Sequence, residues 1–220
     1  MNSTMLWYAT RASGIAALIL LTATMLLGLV ATNRPRARNW PGFAQQEIHR
    51  RISILSVVFV GIHVITSLLD TYVHIGWASI LVPFTSSYSR LWVGVGTVGL
   101  DLMLAVFVSS LLRSRIRPTT WRALHWLVYL CWPVALAHTF GMGTDAAEPW
   151  VVALGLVCIA SVSAALLWRV RASTNQKRAT QRTNTFAVPR KHLATEISKG
   201  NNPGIQGMTV TANESANVSL

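Results

Sequence analysis

Five stretches of this chain are so long and so apolar that they leave few folds open. They fall at about residues 13–31, 52–69, 91–112, 123–140 and 150–170. A hydrocarbon core takes roughly 20 helical residues to cross. Lipid offers no partner to a bare backbone N–H or C=O, so such a segment spans as a helix that bonds itself. The expected fold is all-α and integral to the membrane: a bundle of five transmembrane helices.

Composition agrees, and charge orients the bundle. Only 12% of the residues are charged, against about 25% in ordinary soluble domains, and mean hydropathy is +0.43. The formal net charge is nevertheless +12. A pI near 11.2 can signal nucleic-acid binding. Here the basic residues flank apolar spans instead of forming one polar, aromatic-interleaved face, so no nucleic-acid partner is expected. Of the 19 Lys and Arg, 17 follow spans one, three and five, among them Arg34, Arg36, Arg38, Arg50, Arg51, Arg113, Arg115, Arg117, Arg122, Arg169 and Arg171. The loops on the other side carry Arg11, Arg90, Asp70, Asp145 and Glu148. The positive-inside rule then puts the N-terminus outside and the C-terminus in the cytoplasm. Trp7, Trp92, Trp121, Trp150 and Trp168 lie near span ends, where interfacial aromatics collect.

The first span reads as retained. Arg11 is its only early charge, strongly basic residues follow it, and no small-x-small cleavage site precedes Asn33. The membrane bundle is expected over residues 1–171. Over residues 172–220 the chain turns to Thr, Asn, Ser, Lys and Arg with Pro189 and Pro203, the composition of a disordered, basic cytoplasmic tail. Asn213 and Asn217 open glycosylation patterns that this location would leave unmodified. Cys131 and Cys158 lie inside apolar stretches and read as small core residues.

The most specific signal is four histidines. His49 and His63 lie on span two, 14 residues apart; His125 and His138 lie on span four, 13 apart. At 1.5 Å per residue the separations are about 21 Å and about 20 Å. Spans two and four both start on the cytoplasmic side and run parallel, so the histidines match in height at two levels. An imidazole lone pair binds iron, and an imidazole on each face leaves no open position. Two stacked b-type hemes fit the pattern; a single heme at His63 and His138 remains open. Ionisable groups inside spans are rare and usually functional, which singles out those two. His49 and His125, beside Arg50, Arg51 and Arg122, gain their weight from the matched spacing. One assumption is needed. His49 and His63 project within about 40° of each other around a straight helix, but His125 and His138 come out about 140° apart. Span four must therefore kink or unwind, and Pro133 lies between its histidines.

These residues resemble the ferric reductase-like transmembrane domain family, which includes the membrane parts of NADPH oxidases and ferric reductases and the heme-binding membrane subunit of the bacterial methionine sulfoxide reductase system. The matching pieces are His49-Arg50, Gly61-Ile62-His63, Trp121-Arg122-Ala123-Leu124-His125-Trp126 and Ala137-His138. The resemblance covers about residues 7–170. It implies a b-type cytochrome of the cell (plasma) membrane, bacterial and multi-pass, with His49 and His125 holding an inner heme and His63 and His138 an outer one. It further implies electron entry from a separate flavoprotein carrying FMN or FAD, or from membrane quinol, and exit to an external acceptor such as ferric iron. The departures are five spans where family members commonly have six, and a tail too short for a flavin and NADPH module. No dinucleotide fingerprint opens a βαβ unit: Gly94-Val95-Gly96 is embedded in a span and reads as a close-packing helix face. The chain is thus expected to be an electron-transfer subunit that relies on a partner for its reductant.

Other polar groups are secondary. Arg11 and Arg90 are the outer bases available to heme propionates, and Arg50, Arg51 and Arg122 the inner ones. Asp101 falls in mid-span, as a structural partner or a proton-transfer group for quinol. Trp126, Tyr129 and Trp132 follow His125 and either face a porphyrin or fill the bundle. Gly141 and Gly143 could turn a loop over an outer cofactor edge. His74 and His192 read as surface residues. The competing readings are a small transporter or metal-ion carrier using His63, His138 and Asp101, and a cofactor-free scaffold.

Overall fold

The computed structural model describes residues 3–31, 42–70, 75–142 and 146–186. His74, Gly143, Asp145, His192, Asn213 and Asn217 lie outside them. Among the described residues there are helices and turns and no strand. In order these are α1 (Ser3–Ala31), α2 (Gly42–Leu69), α3 (Ala78–Leu81), α4 (Arg90–Leu111), α5 (Pro118–His125), α6 (Val128–Met142) and α7 (Pro149–Phe186). Five helical segments are long and apolar enough to cross a membrane: Thr4–Val30, Phe43–Leu69, Arg90–Leu111, Pro118–Met142 and Pro149–Asn175.

Three helix ends differ from the sequence expectation. α1 begins about three turns early, which puts Arg11 inside a helix, its guanidinium 4.4 Å from the centre of the Trp7 ring. α2 begins at Gly42, so Arg50 and Arg51 are helical instead of in a loop; Glu47 accepts a 2.7 Å bond from Arg51 one turn on, an i,i+4 pair that extends a helix past the hydrocarbon. α7 runs on to Phe186, although composition points to disorder from Ala172. Residues 172–186 contain neither Pro nor Gly, and extending an existing helix needs only one ordered residue per new bond.

The compact unit Met1–Ala172 is built around α1. α1 is the most enclosed span, with 44% of its apolar window buried against 6% for α2. It packs along α2 and touches α6, while α4 packs along α6. Leu21, Met25 and Leu29 of α1 meet Met103 of α4, Cys131 and Trp132 of α6, and Cys158 and Val162 of α7 in one buried cluster. Both cysteines are therefore core residues, as expected. Outward faces are apolar: Ile54, Leu55, Val58 and Ile65 on α2 and Leu156, Val157 and Leu167 on α7 are exposed, the arrangement lipid stabilises. Hydroxyls inside the spans are satisfied locally: Ser13 donates to Ala9 O, Thr22 to Leu18 O, Ser56 to Ile52 O and Thr139 to Ala135 O.

Span four is broken, but not at its proline. α5 ends at His125, two turn residues follow, and α6 starts at Val128 with Pro133 inside it. Around the break the bonds tighten to i→i−3: Leu127 N–H donates to Leu124 O, Tyr129 to Trp126 O and Leu130 to Leu127 O, each at 3.0 Å. Pro133 has no N–H for the Tyr129 carbonyl and its ring crowds that carbonyl, so the distortion falls upstream. Each residue wound at 3.0 per turn adds about 20° over the α-helix. Three or four such residues recover roughly 60–80° of the azimuthal mismatch between His125 and His138.

Candidate functional site

Both histidine pairs form, at opposite ends of the bundle. The His63 and His138 ring centres lie 6.2 Å apart, and those of His49 and His125 lie 6.5 Å apart. α2 and the α5–α6 segment therefore run parallel. Among the described residues no hydrogen bond joins the rings of either pair, so each pair faces across a gap.

The neighbouring helices set the rings. His63 Nδ1 lies 2.8 Å from the Thr10 carbonyl of α1, and His138 Nδ1 lies 2.8 Å from the Trp92 carbonyl of α4. A carbonyl only accepts, so each Nδ1 carries the proton and Nε2 keeps the free lone pair. One turn beyond each carbonyl stands a glycine. A Cβ on Gly14 would come 2.9 Å from His63 Nδ1, and one on Gly96 would come 2.6 Å from His138 Nδ1. The rings thus occupy the space side chains would fill. His49 sits against Gly28 more loosely, at 3.6 Å from such a Cβ, beside the Thr24 carbonyl. Thr10 and Gly14 recur fourteen residues later as Thr24 and Gly28, matching the spacing of His63 and His49 on the antiparallel helix. His49 Nδ1 and His125 Nδ1 are buried and close no hydrogen bond. His125 stacks on Trp121 at 5.1 Å and 22°, and Arg113 stacks on the same indole at 4.5 Å.

Iron fits these residues. Imidazole nitrogen binds a first-row metal such as zinc at about 2.0–2.1 Å, so two rings sharing one ion would have centres roughly 6 Å apart. Both observed separations lie close to that. Among the described residues no cluster of three or more His, Cys, Asp or Glu could hold a metal ion by side chains alone. The donor set is two imidazoles per level, which suits a metal whose remaining ligands come from a macrocycle.

The remaining candidates divide. Arg11 stacks on Trp7 next to Thr10, and Arg90 donates from Nε to the Phe84 carbonyl at 2.5 Å, so both stand at the His63–His138 end. Arg50 and Arg51 reach Glu47, and Arg122 donates to the Pro118 carbonyl, at the His49–His125 end. Trp132 is buried and donates from Nε1 to Thr22 Oγ1 at 3.0 Å, between the two levels. Trp126 is 60% exposed and Tyr129 accepts from Arg169, so these two do not form a common face with Trp132. Gly141 lies within α6 against the Trp92 ring, where a Cβ would clash; it serves close approach and not a turn. Gly94 packs under Phe84 and Gly96 under His138, so the Gly94-Val95-Gly96 segment is a packing face. Asp101 is half-buried in α4 with no hydrogen bond or ion pair among the described residues. Residue order alone did not single out Thr10, Gly14 and Gly28; the repeated fourteen-residue spacing on α1 was the available signal.

The fold and the site together define a multi-pass, all-helical membrane protein with paired histidines between two parallel helices. The family pattern described as the ferric reductase like transmembrane component matches residues 13–136, more than half of the chain. The chain belongs to that family. The match takes in His49, His63 and His125 and ends two residues before His138. Comparison with curated proteins and with solved structures finds no match.

Proposed function

We propose that the chain is the heme-bearing membrane component of an electron-transfer system, with two b-type hemes held between α2 and α5–α6. Family membership supports membrane electron transfer in general. The observation that carries the finer reading is the pair of unbonded histidine gaps, 6.2 and 6.5 Å between ring centres, at two levels of one bundle. His63 with His138 would hold one heme, and His49 with His125 the other. When bound, heme would supply a reversible one-electron change at iron.

The protein's part is positional. The Thr10 and Trp92 carbonyls hold the protons on His63 and His138 Nδ1 and leave Nε2 for the metal. Gly14 and Gly96 let the rings dock flush against α1 and α4. Arg11 and Arg90 at one end, and Arg50, Arg51 and Arg122 at the other, are cations for propionates. The arginine-rich His49–His125 end faces the cytoplasm by the positive-inside rule and takes electrons from a separate flavoprotein or quinol. The other end delivers them to an external acceptor.

Heme per chain by pyridine hemochrome, with reduced-minus-oxidised spectra of single His→Ala variants, tests this. Two hemes are expected, with His63→Ala and His138→Ala losing one and His49→Ala and His125→Ala losing the other. One specific observation favours a second reading: both Nδ1 atoms close 2.8 Å bonds at His63 and His138, whereas His125 Nδ1 closes none. Loading at one heme per chain, unaffected by His49→Ala, selects that single-heme form. Protein with no Soret band after expression with ample heme refutes both.

A further inference from the structure

We propose that the residues behind the histidines make the two levels electronically unequal, so that the His49–His125 level holds an electron more tightly than the His63–His138 level. This rests on the two-heme reading above.

The first asymmetry lies in the hydrogen bonds. At the His63–His138 level both Nδ1 atoms donate to helix carbonyls at 2.8 Å. Such a bond makes the other ring nitrogen a stronger donor, and a stronger donor favours the oxidised metal. At the His49–His125 level His125 Nδ1 closes no bond and His49 Nδ1 has only a loose approach to the Thr24 carbonyl, so these rings gain less of that strength.

The second asymmetry is charge. Arg113 stacks on Trp121 and Trp121 stacks on His125, so a guanidinium stands one aromatic ring away from a ligand. Oxidised iron carries one more positive charge than reduced iron, and a nearby cation therefore favours the reduced form. The wider charge distribution acts the same way. The described residues at this end include Arg50, Arg51, Arg113, Arg115, Arg117, Arg122, Arg169 and Arg171 against Glu47. At the other end Arg11 and Arg90 are offset by Asp70 and Glu148. Arg11 stacks on Trp7 and Arg90 bonds the Phe84 carbonyl; neither joins a histidine through a stacked ring. Both effects point one way. An electron delivered to the arginine-rich end would rest there until an acceptor at the far end draws it across.

The test is an optical redox titration of the full chain loaded with heme. Two waves are expected. The heme remaining in His63→Ala should titrate as the higher wave, and the one remaining in His125→Ala as the lower. Arg113→Gln, a change at an exposed side chain, should shift the higher wave down and leave the lower in place, and Arg113→Lys should restore it. A single unresolved wave from two hemes, the reverse assignment, or an Arg113→Gln shift in the lower wave overturns the proposal. A heme count below two per chain is read before any titration and removes the two-heme reading itself, and this proposal with it.

Discussion

Gly96→Ala is the sharpest perturbation of the histidine docking. The new Cβ would lie 2.6 Å from both Nδ1 and Cε1 of His138. Relieving that to ordinary contact moves the ring back by roughly 0.8–1 Å, enough to stretch its 2.8 Å bond to the Trp92 carbonyl past hydrogen-bonding range. The lost bond costs about 1 kcal/mol net. Crowding adds about 1–3 kcal/mol, and the better helix propensity of alanine returns about 1 kcal/mol. The balance, about 1–3 kcal/mol, corresponds to roughly 5- to 150-fold weaker retention of the His63–His138 heme. Gly14→Ala should act less, because its Cβ would lie 2.9 Å from His63 Nδ1. Gly28→Ala should be harmless or slightly stabilising, since 3.6 Å from His49 is ordinary contact. Transfer of heme to excess apomyoglobin, followed at the Soret band, ranks the three variants. The order Gly96→Ala, Gly14→Ala, Gly28→Ala is expected. Equal losses across the series, or full retention in Gly96→Ala, would show that the rings do not depend on these cradles.

Two further outcomes follow from the bundle's interior. Thr22→Val removes the acceptor of Trp132 Nε1 and leaves a buried donor bare, which should cost about 1–3 kcal/mol in thermal unfolding; adding Trp132→Phe, which removes the donor too, should recover most of it. Pro133→Ala gives the Tyr129 carbonyl its N–H donor and should straighten the segment, turning His125 or His138 away from α2. A spectrum and heme count unchanged in Pro133→Ala would mean that the break after His125 has another cause.

Much of this architecture could be read directly from the residue order, because lipid allows few solutions. A run of some twenty apolar residues has to become a helix, and two histidines fourteen residues apart on it have to sit at two heights. The pairing of His63 with His138 and of His49 with His125 followed from those heights once the charge bias made the two spans parallel. What periodicity could not supply was the helix ends, where polar side chains extend a helix beyond its apolar run, as Glu47 and Arg51 do in α2. Nor could it place the distortion in span four. The proline marks a missing donor, but the strain falls on the carbonyl four residues earlier, and the chain yields where the bonds can shorten to i→i−3.

The glycines stayed hidden for a different reason. A glycine in a membrane helix announces close approach without saying what approaches. Gly14 and Gly28 acquire meaning only once α1 is known to run antiparallel to α2, which brings each opposite a histidine. The same spacing then appears three times over: between His49 and His63, between Thr10 and Thr24, and between Gly14 and Gly28. A helix that merely filled volume would have no reason to repeat a carbonyl-and-glycine cradle at the interval of its neighbour's imidazoles. The repeat on α1 therefore argues that both levels, and not only the one with closed hydrogen bonds, are shaped for the same job. It weighs against a transporter path or a bare scaffold, since neither would require an α1 carbonyl and glycine opposite an imidazole at two depths.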